Sequence, residues 1–66
     1  MEKIEAIHNS LINGQRRQMA AQIKEYGLYD FWYDYQIYLL DTYETRQSQF
    51  EYFSDAVISY HRIENR

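Results

Sequence analysis

The sequence predicts an all-α protein, a compact bundle of three helices or of four. Three observations predict it. Apolar residues recur at helical spacing through most of the 66 residues. The chain has no proline, and Gly14 and Gly27 are its only glycines. No pair of alternating runs flanks a turn of the hairpin kind. No repeat, linker or low-complexity tract divides the chain, so it reads as one helical domain over 1–66.

In the first element, about 3–26, Ile4, Ile7, Leu11, Met19, Ile23 and Tyr26 fall near one stripe. Two readings of Asn13-Gly14 compete. Gly14 either ends a first helix as its left-handed cap or sits inside one long helix. A mid-helix glycine costs about 1 kcal/mol relative to alanine. The stripe keeps its phase across Gly14, which favours the long helix. Gly27 is the clearer stop, with Lys24 in the turn before it.

Asp30 can then cap a second element, about 30–43. Its apolar residues lie on nearly every side: Phe31, Tyr35, Tyr38 and Leu39 on one, Tyr33, Ile37 and Leu40 on another. Such a helix is buried, or it is held between its own core and a partner. For the last element, Asp41-x-x-Glu44 and Ser48-x-x-Glu51 both have capping-box spacing. The second precedes the cleaner amphipathic run of Phe50, Phe53, Val57 and Tyr60, which places this helix at about 48–64.

Size and composition limit what holds the fold together. A chain of 66 residues is near the size at which one core is only marginally stable. There is no cysteine, so disulfides and thiolate metal sites are excluded. His8 and His61 are too far apart in sequence to suggest a structural zinc site, and both read as polar helix-face residues. Tight packing or self-association must serve instead, and a homodimer is expected. No apolar run is long enough to cross a bilayer. The first residues, MEKIEAIHNS, lack the pattern of a signal peptide. The default expectation is a soluble intracellular protein, away from membranes.

Charge is distributed unevenly along the chain. Residues 1–24 carry Lys3, Arg16, Arg17 and Lys24 against Glu2 and Glu5, a net +2. Residues 25–45 carry Glu25, Asp30, Asp34, Asp41 and Glu44 and no base, a net −5. Six tyrosines, Phe31 and Trp32 lie in that same acidic stretch. Tyrosine and tryptophan offer rigid area with a polar tip, suited to surfaces that are wet when free and dry when bound. Carboxylates repel phosphate and attract bases. The stretch therefore points to contact with a basic macromolecule.

Within the aromatic belt, Phe31, Trp32, Tyr35 and Leu39 are the expected core members. Tyr29, Tyr33 and Tyr43 are the expected partner contacts. Asp30, Asp34, Asp41 and Glu44 lie near one helix face and suit steering and pairing with a partner's bases. A solvated acidic face accounts for this row more simply than mimicry of nucleic-acid phosphates, which needs more charge. No Glu-x-x-His or His-x-x-x-His pattern accompanies the aspartates, so no metal or other cofactor is expected. Nor is there a nucleophile–base pair or a glycine-rich phosphate loop, so the chain is not expected to be an enzyme. Arg16 and Arg17, inside the polar run NGQRRQ, could contact phosphate. That leaves a nucleic-acid-binding dimer as an alternative, and a structural assembly subunit as another.

Three stretches carry a family resemblance: Asn13 to Gln18 (NGQRRQ), Phe31-Trp32 through Tyr38-Leu39, and Tyr52 to Arg62 (YFSDAVISYHR). With them the chain resembles the small proteins encoded by bacteriophages and other mobile elements, including anti-CRISPR proteins. That resemblance implies a short, acidic, cysteine-poor binder that inhibits a host defence protein without catalysing a reaction. It implies no particular site residue.

Overall fold

The computed structural model describes residues 2–65 as four helices: α1 Glu2–Ile12, α2 Arg16–Tyr26, α3 Leu28–Thr42 and α4 Arg46–Glu64. No strand is present among the described residues. The chain turns at Gly14, and the expected long first helix is two. Gly14 has φ +76°, its N–H donates to Leu11 O at 3.1 Å, and the Gln15 N–H donates to Ser10 O at 2.9 Å. This crossed pair closes the end of α1 and satisfies carbonyls that would otherwise be orphaned. The apolar stripe survives because α2 folds back onto the core that α1 faces. Ile4, Ile7 and Leu11 of α1 and Met19 and Ile23 of α2 are all buried.

Gly27 is the single residue between α2 and α3, at φ +107°, outside the conformations open to side-chain-bearing residues. Its N–H donates to Ile23 O at 2.9 Å and its carbonyl accepts from Phe31 N at 2.8 Å. Consequently α3 begins at Leu28. Asp30 lies within its first turn, where its charge favours the helix dipole, and does not cap it. Neither expected capping box starts α4. Thr45 does so, its Oγ1 accepting from Ser48 N at 3.2 Å. Gln49 Nε2 also donates to Tyr43 O at 2.7 Å and fastens the α3–α4 loop.

α1 packs on α2 and α3, and α4 packs on α2 and α3. The Cα radius of gyration is 10.8 Å, close to the roughly 11 Å expected of a folded chain this long. Phe31, Tyr35 and Leu39 are buried as expected, but Trp32 is only half-buried. α4 differs more from its expected phase. Its buried residues are Ala56, Ser59 and Tyr60, while Phe53 and Val57 are half-buried and Phe50 is exposed. Ser59 meets the start of α2, where its Oγ accepts from Arg16 Nε at 3.1 Å. Phe50 and Val57 lie about 100° or more around the helix from that seam.

No helix is long and apolar enough to cross a membrane.

Candidate functional site on the outer face of α3

α3 is built with two unlike faces. On its inner face Phe31 and Tyr35 stack at 4.8 Å between ring centres, with planes 20° apart. The Tyr35 hydroxyl lies 2.7 Å from His8 Nδ1, and the Tyr43 hydroxyl lies 2.7 Å from His8 Nε2. A neutral imidazole donates through one nitrogen and accepts through the other, so both of its polar atoms are satisfied. The rings of Tyr38 and Tyr52 close the cage at 5.3 and 5.1 Å. His8 is 2% exposed, a correction to its expected place on a polar helix face. Burial lowers its pKa below the usual 6.5, opposed by the charge of Glu5. Burial raises the pKa of Tyr35 as well. For Tyr43 burial raises it first, then the neighbouring Tyr52, whose ring centre lies 4.7 Å away.

The outer face is aromatic and acidic. Tyr29 and Tyr33 are 80% and 69% exposed, one helical turn apart. Gln36 and Leu40 continue the same stripe, both exposed. Asp30, Asp34 and Asp41 run beside it, about 100° around the helix from the tyrosines. The helix carries no basic residue. Tyr29 stands edge-on to Trp32, with ring centres 6.0 Å apart and planes at 90°, so its exposed ring is supported from below.

The residues expected to meet a partner thus divide. Tyr29, Asp30, Tyr33, Asp41 and Glu44 are exposed. Asp34 is half-buried and accepts a hydrogen bond from the Tyr26 hydroxyl, which pushes the Tyr26 pKa up to about 12. Tyr43 is half-buried and turned inward onto His8. No spacing in the sequence distinguishes Tyr43 from Tyr33; the extended backbone at Tyr43 (φ −116°), which ends α3, aims it inward.

The basic segment is partly occupied. The Arg16 guanidinium pairs with Asp55 at 3.1 Å and donates from Nε to Ser59 Oγ at 3.1 Å, tying the start of α2 to α4. Lys24 pairs with Glu64 at 3.2 Å. Arg17 is exposed. Among the described residues no three His, Asp or Glu side chains converge as a metal site would require. The outer stripe can therefore present flat aromatic area and uncompensated carboxylates. Compared with known proteins, the chain matches no family model, no curated protein and no solved structure.

Proposed function

We propose that this chain is a small binding protein that covers a basic surface of a host protein and so blocks it. It would be an inhibitor of host defence of the kind carried by mobile elements, acting in the bacterial cytoplasm. One observation carries the proposal: Tyr29 and Tyr33 stand exposed on α3 next to Asp30, with no base on that helix. Large aromatic side chains left in water are favourable places for a partner to land, since desolvating them stabilises the complex. The carboxylates decide which partner lands, and they select a cationic one.

Tyr29 and Tyr33 are the anchors. Asp30 and Asp41 steer association, while Asp34 and Tyr43 hold the scaffold. The action is occlusion and requires no catalytic group. Arg16 is already paired with Asp55, which weighs against a duplex-binding surface centred on it.

Affinity capture from a nuclease-treated bacterial lysate, run in parallel with wild type, Tyr33→Ala and the double variant Asp30→Asn, Asp41→Asn, tests this. A basic protein retained stoichiometrically by wild type, and lost from both variants and at high salt, is the expected result. A partner that both variants retain equally, or capture of nucleic acid alone from a parallel lysate left without nuclease, would overturn it.

A further inference from the structure

A second exposed feature begins where the outer stripe of α3 ends, at Gln36 and Leu40, and differs in character from the Tyr29–Tyr33 end of that stripe. Where the end of α3 meets the start of α4, a groove of about 500 Å³ is lined by Gln36, Leu39, Leu40, Arg46, Phe50 and Phe53. Leu40 and Phe50 are 63% and 72% exposed, so the monomer leaves a leucine and a phenylalanine side by side in water. Arg46 lies at this groove and makes no ion pair among the described residues. The exposed loop residue Glu44 precedes it by two positions and is likewise unpaired among them.

We propose that this groove seats a second copy of the same chain. A two-fold interface must be complementary to itself, and this patch is. Its centre is apolar, Arg46 lines it, and the exposed Glu44 stands two positions earlier in the loop that leads into α4, so Arg46 of each copy can face Glu44 of the other. The Gln36 amide both donates and accepts, and it too can pair with its symmetry mate. The Tyr29–Asp30–Tyr33 stripe fails the same requirement. Two copies meeting there would set carboxylate against carboxylate, with no base on α3 to offset them. The charge pattern therefore assigns the groove, Gln36 and Leu40 included, to the second copy and leaves the Tyr29–Asp30–Tyr33 end of the stripe for a different molecule. A dimer formed in this way presents two such stripes.

Sedimentation equilibrium of the full chain over a micromolar to high-micromolar series tests the proposal. Wild type is expected to reach twice the mass of one chain. Phe50→Glu, at an exposed position, is expected to halve that mass with the helical circular dichroism unchanged. Arg46→Glu is expected to weaken the dimer about fivefold, because a two-fold interface loses both of its ion pairs at once. Adding Glu44→Lys to Arg46→Glu should restore it. A monomer at every concentration would overturn the proposal. So would a dimer that survives Phe50→Glu, one broken by Tyr33→Glu instead, or a double variant as weak as Arg46→Glu alone. Because none of these results depends on the basic partner, they leave the proposed inhibition to be judged separately.

Discussion

The two faces of α3 are made from the same kind of residue and are put to opposite uses. Tyr35, on the inner face, is fully buried with its hydroxyl on His8. Tyr33, two positions earlier, stands mostly in water. Hydrophobicity does not separate them, because the side chains are identical. What separates them is a partner for the hydroxyl: α1 brings His8 to the inner face and nothing to the outer one. A buried tyrosine without such a partner leaves a polar atom unsatisfied, at a cost of about 1–3 kcal/mol.

The largest expected effect that tests this contrast is Tyr35→Ala, which should destabilise the fold by about 3–5 kcal/mol, as other buried aromatic truncations do. Urea unfolding followed by circular dichroism measures it. Tyr35→Phe keeps the ring and removes only the hydroxyl, stranding His8 Nδ1. The midpoint should shift by about 1–3 kcal/mol of stability. A neutral result there would show that packing alone, without the His8 contact, holds the inner face.

Acid and alkali probe the same contrast without mutation. Burial holds His8 neutral below its usual 6.5, so the unfolded chain binds the proton first. Its contribution to stability is therefore present above pH 6.5 and is lost as pH falls beneath that value. Melting temperature against pH should show this acid arm, and His8→Gln should flatten it. At the alkaline end the sign reverses. Tyr26, hydrogen-bonded to Asp34, loses its proton near 12 when folded and near 10 when not. Its contribution is complete below pH 10 and fades as pH rises from there.

Smaller effects sharpen the comparison further. Gly14→Ala should cost about 1 kcal/mol, because φ is positive there and the strain is purely of the backbone. No neighbouring atom lies within 4 Å of the added carbon. Thr45→Ala, which removes the cap of α4, should cost about 1 kcal/mol. Tyr33→Ala should change stability by less than about 0.5 kcal/mol. Finding Tyr33→Ala as damaging as Tyr35→Ala would erase the distinction between the faces.

Periodicity made the helical class and most of the core legible. Ile4, Ile7, Leu11, Met19 and Ile23 are all buried. The same periodicity concealed the turn at Gly14, since two helices folded onto one core preserve the phase that one straight helix would show. Asn13-Gly14 was the better local signal, and the intact stripe overrode it. The phase of α4 escapes hydrophobic periodicity for a related reason. Its seam uses Ala56 and Ser59, which hydrophobicity scarcely marks, while Phe50 stands outside. The His8 cage could not be read from neighbouring residues. Its two hydroxyls come from positions 27 and 35 residues further along. Exposure of Tyr29 and Tyr33 agreed with the sequence reading, whereas Tyr43 turned inward where α3 gives way to extended backbone.

Trp32 has a consequence for experiment that its modest burial conceals. It is the sole tryptophan, its indole N–H is buried with no acceptor among the described residues, and its ring neighbours are Tyr29 at 6.0 Å and His61 of α4 at 5.9 Å. An indole in that position is an intrinsic fluorophore that adjoins the exposed Tyr29 of its own helix and His61 of α4. Unfolding hydrates the ring and shifts its emission to the red. A ligand that settles on Tyr29 disturbs the same ring from above while the helices stay intact. Partner binding and melting can therefore be followed on one optical channel, in the unlabelled protein.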